Sequence, residues 1–280
     1  MNNDLPMEMR DIQKVSLQIL KFVSALCERE GFRYSLMYGT LIGAIRHKGF
    51  IPWDDDVDIM MPRPDYERFL QYCATHTNEL GFYKIYNSNT HKNYNYGITR
   101  VCDSRYEIIE MKANKNCGMG IFIDVYPYDG LGNNLQDALE LLTLSRHYCD
   151  TIADIISVNH SVLGTLNCKG KIVYVYEKTI KKMRGTRYYL NKLSSLCKDH
   201  SYDNSIYVGP LMWYFAKPHR VLFKKELFDE LIKVPFEDGL FCVPKNYHDL
   251  LTLEYGDYMQ LPPVEKRIYH HQYKAYKRLP

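Results

Sequence analysis

A run of aspartates that leads into an apolar strand constrains the fold of this chain more than any other feature of its sequence. The run is WDDDVDIMM at positions 53–61, and its apolar second half predicts a strand over 56–61. Side chains alternate between the two faces of a strand, so Asp56 and Asp58 share one face. No basic residue lies within this segment to offset their charge. The segment therefore predicts two carboxylates side by side on a sheet.

Two carboxylates at this spacing repel each other and raise each other's pKa unless a cation lies between them. Hard oxygen ligands suit Mg²⁺, or Mn²⁺ in its place, and a Mg²⁺ site with few carboxylates usually completes its shell with substrate phosphates. The pair therefore predicts a divalent cation that binds a nucleotide or another diphosphate. The alternative is an acidic surface turn that binds no metal.

A strand, a turn and a helix precede the aspartates and offer a place for the phosphates. The pattern predicts a strand over 33–39 and a helix over 39–49, with Gly39 and Thr40 at their junction. Glycine allows the backbone to approach a ligand closely, and the free N–H groups at a helix start attract an anion. We therefore interpret Gly39 and Thr40 as a phosphate-binding turn.

A third carboxylate is expected on a neighbouring strand. The apolar run 120–125 predicts a strand that ends in a turn at 126–132, and Asp124 lies in this run with little other reason to carry a charge. In two-metal phosphoryl or nucleotidyl transfer, such carboxylates hold the metals and one accepts the proton of the nucleophile. Asp124 is therefore a candidate metal ligand, a base or both. Asp129 is a weaker alternative, because its Tyr-Asp-Gly context fits a turn.

The remaining pattern indicates an α+β protein. Apolar residues at helical spacing predict a helix over 9–30 that ends at Gly31, and a further helix is predicted from Asp65. We predict a catalytic core over 1–132 and a mostly helical part over 133–280 that completes the site and binds the acceptor. A single domain that contains both parts is the alternative.

Charge and composition exclude several classes of protein. The 36 basic and 33 acidic residues give a formal charge of +3, which is too balanced for a nucleic-acid-binding surface. The eight cysteines form no C-x-x-C pair, the first residues lack the pattern of a signal peptide, and no apolar stretch is long enough to span a membrane. We therefore expect a cytoplasmic protein with reduced thiols. The basic segment over 178–192 fits a solvated helix face best. The alternative is attraction of an anionic acceptor or of a lipid surface, which would bring the protein into peripheral contact with the inner membrane face.

A longer motif carries a resemblance to a known family. The segment YGTLIGAIRHKGFIPWDDDVDIMMPRPDYERF at 38–69 resembles the signature of the LicD family of phosphotransferases. The likeness extends through Arg100, through FIDVYPYDGL at 122–131 and into 234–263, and it is weakest over 133–205. It therefore covers most of the chain.

The resemblance implies a nucleotidyltransferase-like mixed sheet flanked by helices. Members of the family move phosphocholine from CDP-choline onto a sugar of a teichoic acid or lipo-oligosaccharide precursor, with Mg²⁺ and with release of CMP. By motif, Asp56, Asp58 and Asp124 would hold the metals, and Gly39 with Thr40 would bind phosphate. The alternatives are transfer of ribitol, glycerol or ethanolamine phosphate, a nucleotidyl transfer, or a catalytically silent nucleotide-binding subunit.

Several further residues are candidates for binding the donor or the acceptor. Arg46 follows the phosphate turn, where its guanidinium either binds the donor diphosphate or only stabilises the helix end. The resemblance adds Arg100 as a candidate phosphate contact, at a position where relatives carry a basic residue after a strand. Trp53 is predicted to meet a choline head group by cation–π attraction, to stack on cytosine, or only to pack. The resemblance to the family's terminal motif adds three candidates, which are Lys266, Arg267 and His270.

Overall fold

The computed structural model describes residues 5–91, 93–110, 117–156, 168–267 and 273–278. The helices in these ranges are α1 (Met9–Glu30), α2 (Tyr38–Ile42), α3 (Arg63–Thr75), α4 (Leu135–Ile156), α5 (Cys168–Leu196) and α6 (Tyr247–Tyr255). The strands are β1 (Ser35–Leu36), β2 (Asp58–Pro62), β3 (Tyr83–Tyr86), β4 (Thr99–Asp103), β5 (Tyr106–Glu110), β6 (Ile121–Gly130), β7 (Tyr207–Gly209), β8 (Phe223–Lys224), β9 (Leu231–Phe236), β10 (Gly239–Pro244) and β11 (Tyr273–Lys277). The predicted α+β class is confirmed. None of the described helices is long and apolar enough to cross a membrane.

The central sheet is mixed and has the strand order β1-β2-β6-β4-β3, with β7 paired to β6 and β8 paired to β7. The pair β2–β6 is parallel and the other pairs of this sheet are antiparallel. Helix α1 packs against β4 and β6, and α3 packs against β2 and β6. The register places Asp124 of β6 opposite Asp58 on one side and opposite Arg100 on the other. Three charged side chains therefore occupy one row across the middle of the sheet.

Strand β6 is longer than the sequence pattern indicates, and the turn predicted at 126–132 is wrong. The strand runs without interruption to Gly130, and its far half pairs with β7. Asp129, interpreted as a turn residue, is fully buried and accepts hydrogen bonds from Arg63 Nε and Nη2 at 2.6 and 2.9 Å. This ion pair supplies the countercharge that a buried carboxylate needs, so the strand can continue through the core.

The first helix and its end were predicted correctly. Its buried residues recur at helical spacing, and Gly31 ends it in the left-handed conformation with a φ of 67°. The predicted strand over 33–39 is observed only at Ser35–Leu36, and the predicted strand over 56–61 begins at Asp58 instead. Helix α3 begins at Arg63, two residues before the predicted start, and has a proline in its first turn.

The second half of the chain contains the predicted helices and also strands that the pattern did not indicate. Helices α4 and α5 pack against each other around a separate apolar cluster that includes Ile152, Leu193 and Trp213. After α5 the chain forms β7 to β11 and the short helix α6. The main apolar cluster draws residues from Ile12 to Ala275, so it includes both sides of the border near residue 132. The division into two parts stays a prediction.

Candidate active site

Backbone hydrogen bonds hold the two aspartates of the central row in place. Asp58 is the first residue of β2 and is 7% exposed, and the backbone N–H of Asp124 donates to the Val57 carbonyl at 2.8 Å. Asp56 precedes the strand and, like Asp58, lies on the wall of a cavity. Val57 between them is fully buried, and the two carboxylates share the cavity wall although Asp56 lies outside the strand.

The first turn of α2 shapes this row. The backbone N–H of Asp58 donates to Thr40 Oγ1 at 2.8 Å, so Thr40 fixes the start of β2. A Cβ atom at Gly39 would lie 2.5 Å from Asp54 Oδ2, so a larger residue there would require that carboxylate to shift. Both residues therefore position acids in this structure, and phosphate binding by them stays a prediction.

The acids create a strongly negative site. Burial raises the pKa of Asp58 well above its usual range, and the neighbouring charges of Asp56, Asp124 and Asp54 raise it further. The side chains of Asp54, Asp55 and Asp56 each place an oxygen within 4.8 Å of the others. A donor set of carboxylate oxygens alone suits a hard divalent cation such as Mg²⁺.

Asp124 differs from the other acids because it forms a buried ion pair. Its Oδ1 accepts a hydrogen bond from Arg100 Nε at 2.8 Å, and each side chain is 6% exposed. The Arg100 guanidinium lies between the rings of Tyr96 and Phe122, at 4.2 and 3.9 Å from their centroids. The structure therefore places Arg100 beside the third carboxylate, and its predicted contact with phosphate remains a prediction.

The cavity beside the acids has a volume of about 810 Å³. Acids form one part of its wall and cations another, while residues of the segment 255–264 close the rest. The charged residues on the wall are Asp54, Asp56, Asp58, Asp257, Arg46, Lys266 and Arg267. A ligand with a metal-bound diphosphate and further anionic oxygens would be complementary to such a wall.

Arg46 connects the turn after α2 to the segment 255–264. It lies on the π-helical turn Gly43–His47, and its Nη1 donates to the carbonyl of Tyr258 at 2.6 Å and to that of Gln260 at 3.3 Å. Burial lowers the pKa of Arg46, and the nearby positive charge of Arg267 lowers it further. Two guanidinium groups held this close favour an anion between them.

Trp53 lies between the acids and the cations. The Arg267 guanidinium is 5.3 Å from the centroid of its ring, and the edge of His47 approaches it with 6.4 Å between centroids. Lys266 is exposed at the cavity mouth. The remaining candidate, His270, lies outside the described residues.

Sequence reasoning missed a fourth buried acid near this row. Glu254 ends α6, is 5% exposed and adds its charge to those that raise the pKa of Asp58. Burial raises the pKa of Glu254 itself to about 8, and a hydrogen bond from the Tyr255 hydroxyl offsets part of this rise. The signal was an acid at the end of the otherwise apolar stretch LLTLEY, which resembles the context of Asp124.

Comparison with known proteins identifies the family. The profile of the LicD/FKTN/FKRP nucleotidyltransferase domain matches residues 31–137. The chain is also 34% identical over 284 aligned residues to the lipopolysaccharide cholinephosphotransferase LicD of Haemophilus influenzae, with 96% of this chain and 97% of that protein covered. The chain belongs to the LicD family. The predictions of this family and of a phosphotransferase enzyme are therefore confirmed.

Two uncharacterized rickettsial proteins share shorter segments with this LicD family member. One from Rickettsia typhi is 31% identical over 113 residues, which is 40% of this chain and 33% of that protein. One from Rickettsia prowazekii is 38% identical over 65 residues, or 23% and 24% of the two chains. These matches add no information about substrates.

Proposed function

We propose that this LicD family member transfers phosphocholine from CDP-choline to a sugar hydroxyl of a cell-surface glycan precursor and releases CMP. The acceptor would belong to a lipopolysaccharide, or to a teichoic acid. The main support is the similarity over nearly the whole chain to a protein named as a lipopolysaccharide cholinephosphotransferase. The cavity supports it as well, because its wall joins carboxylates to guanidinium groups.

In this proposal the two parts of the wall divide the donor between them. Asp56 and Asp58, with Asp54 beside them and Asp124 behind, would hold Mg²⁺, or Mn²⁺ in its place. A cation bound there would neutralise charge on the donor diphosphate. Arg46, Lys266 and Arg267 would bind the remaining phosphate oxygens and orient the cytidine half.

The proposed reaction exchanges one P–O bond for another. The acceptor hydroxyl oxygen attacks the phosphorus that carries choline, and the bond from this phosphorus to the bridging oxygen breaks. CMP leaves with the bridging oxygen, and a carboxylate accepts the hydroxyl proton. We assign this role to Asp124, which Arg100 holds in a fixed orientation.

The acceptor determines where such an enzyme would work. If the sugar is carried on a lipid, the protein would act at the inner face of the membrane, in peripheral contact with it. The basic residues of α5, among them Arg184 and Arg187, would then face the lipid head groups.

A CMP-release assay tests the proposal. Purified protein is incubated with Mg²⁺, a crude glycan precursor and one of several donors: CDP-choline, CDP-ethanolamine, CDP-glycerol or CDP-ribitol. We expect CMP release from CDP-choline that stops with EDTA, and covalent choline in the glycan fraction. Release of CMP from another CDP-alcohol, but not from CDP-choline, would show that the enzyme uses that donor instead. No release from any donor, together with no binding of CDP-choline by calorimetry, would refute the proposal.

A further inference from the structure

Glu254 lies behind the inner wall of the cavity and has no role in the chemistry proposed above. Its side chain is buried, with 5% of the residue exposed, and its Oε2 atom has no hydrogen-bond partner among the described residues. Its carboxylate also forms no salt bridge within that part of the chain. A buried carboxylate in this setting is costly unless a cation compensates it. The fold therefore holds a carboxyl group at a place where a cationic ligand would stabilise its ionised form.

Three tyrosine rings lie in this part of the structure, and one of them, Tyr255, lines the cavity. Tyr38 and Tyr126 are half-buried and meet edge to face, with 4.9 Å between centroids and 70° between planes. The Tyr128 hydroxyl donates to the Tyr38 hydroxyl at 3.2 Å, which fixes the orientation of that ring. Tyr255 is 41% exposed and lines the cavity directly. Burial and then the charge of Glu254 raise the pKa of both Tyr38 and Tyr255, so both rings lie near this carboxyl group, and Tyr126 joins them through its contact with Tyr38.

Tyr38 holds an uncommon backbone conformation at this point. Its φ is 52°, in the left-handed region that bulky residues rarely adopt, and it directly precedes Gly39 on the cavity wall. Such a conformation persists where the surrounding structure determines it, and it is frequent at ligand sites. Here it brings the ring against Tyr126.

The chemistry of these groups selects one class of cation. The carboxylates on the cavity wall provide the oxygen ligands that a divalent metal prefers, whereas the tyrosine rings near Glu254 present aromatic faces. Aromatic faces attract quaternary ammonium groups, which are weakly hydrated and too bulky for direct coordination by several oxygens. A nearby carboxylate in a poorly solvated setting strengthens that attraction.

We propose that Tyr38, Tyr126 and Tyr255 form a cage for the quaternary ammonium group of the donor, and that Glu254 behind them supplies its countercharge. This inference rests on the proposed function, because it takes the transferred alcohol to be choline. It assigns discrimination between charged and neutral alcohols to α6 and the start of α2, beside the acids of the central row. It also gives the part of the chain after residue 132 a role in selecting the donor.

Calorimetry with two donors of the same shape tests this cage. CDP-choline is compared with the CDP ester of 3,3-dimethylbutanol, in which a carbon atom replaces the charged nitrogen, with Mg²⁺ and without an acceptor. We expect the natural protein to bind CDP-choline at least about tenfold more tightly than the neutral ester. Glu254→Gln should reduce this preference to about threefold or less. Glu230→Gln, an exposed glutamate paired with Lys245, is the matched control and should leave the preference unchanged.

Tyr255 provides a second test that does not depend on the folding of the Glu254 variant. Tyr255→Phe keeps the aromatic ring and should retain most of the preference, whereas Tyr255→Leu should lose about half of it or more. An unchanged preference in Glu254→Gln, or in Tyr255→Leu where the Glu254 variant does not fold, would overturn the cage. A loss of kcat in Glu254→Gln with an intact preference would also overturn it, since Glu254 would then act in proton transfer. Failure of the natural protein to bind either ester would instead refute the proposed function.

Discussion

The two sides of the cavity are built in opposite ways. The acids belong to a row across the central sheet, in which Asp58 and Asp124 are buried and held by backbone hydrogen bonds. The cations belong to a turn and to the segment after α6, and Lys266 is exposed at the cavity mouth. The fold therefore maintains repulsion among buried acids at a cost in stability. The cations remain closer to solvent and lose less of their hydration when the chain folds. We expect changes on the acid side to alter catalysis and stability together, and changes on the basic side to alter affinity alone.

The same contrast occurs inside the acid row. Asp124 has the guanidinium of Arg100 as its partner, whereas the neighbours that act on Asp58 are other acids. The two carboxylates are opposite each other in the register, so their settings differ although their positions in the sheet are equivalent. Arg100 therefore divides the row into a compensated half and an uncompensated half.

The largest effect is expected from Asp58→Asn, which removes the central acid while keeping its shape. Turnover should fall by at least about a thousandfold, because the bound cation is expected to stabilise the transition state by several kcal/mol and the variant would lose it. Thermal stability at neutral pH should rise, since burial and like charges raise the pKa of Asp58 and so oppose its ionised form. CMP release and a thermal melt measure both effects, and Asp238→Asn on the surface is the control. Full residual activity would show that Asp58 has no part in catalysis.

Arg100→Met tests the compensated half of the row. It leaves Asp124 buried without its cation, so the free energy of unfolding should fall by about 3–5 kcal/mol. Urea denaturation measures the loss, and the double variant with Asp124→Asn should regain part of it. Lys245→Met breaks the exposed pair with Glu230 and should cost less than about 1 kcal/mol. Equal losses of unfolding free energy in Arg100→Met and Lys245→Met would show that the buried pair is no more important to stability than the exposed one.

Glu254→Gln should change how stability depends on pH. The pKa of Glu254 is about 8 in the folded chain against an ordinary 4.5, so the unfolded chain ionises first as the pH rises. The natural protein therefore loses stability between about pH 4.5 and pH 8, and the variant does not pay this cost. The stability of the variant relative to the natural protein should rise by about 2–4 kcal/mol across that range, measured by urea denaturation without metal. A constant difference at pH 4.5, 6.5 and 8.5 would show that Glu254 is not held neutral by burial.

The smallest effect is expected on the basic side. Arg267→Gln removes a guanidinium from the cavity wall and should raise the KM for the donor about tenfold while kcat changes less than about twofold. Its melting temperature should stay within about 2 °C of that of the natural protein, because the side chain is not in the core. Arg184→Gln on the exposed surface of α5 is the control. An unchanged KM would show that Arg267 serves Trp53 and the loop rather than the donor.

The sequence allowed the acid side of the cavity to be predicted and left the rest of the wall incomplete. Asp56, Asp58 and Asp124 stood out because charge interrupts apolar strands, and this signal is local. The same reasoning shortened β6, because Pro127 and Gly130 favour a turn unless a partner strand such as β7 pairs with them. Turn propensity is weak compared with burial of a whole strand in the core.

The partners of the acids could not be predicted, because they depend on register and on contacts between distant elements. The pairing of Arg100 with Asp124 follows from the antiparallel register of β4 and β6, which no local pattern specifies. Glu254 reaches the row only because α6 packs near it, and the rings of Tyr38 and Tyr126 meet through the turn before α2. The sequence therefore indicates which residues carry charge, and the tertiary structure decides which charges are compensated.

The parallel pairing of β2 with β6 also has a consequence for how the protein is made. The two strands are far apart in the chain, and they can pair only after the intervening segment with α3, β3, β4 and β5 has been synthesised. Contacts between distant segments form slowly, because a long loop must close first. A chain still emerging from the ribosome therefore cannot complete the acid row until residue 124 has been synthesised. It cannot complete the set of cations on the cavity wall until residue 267 has been synthesised. Enzyme activity during refolding would thus report the last steps of assembly rather than the first.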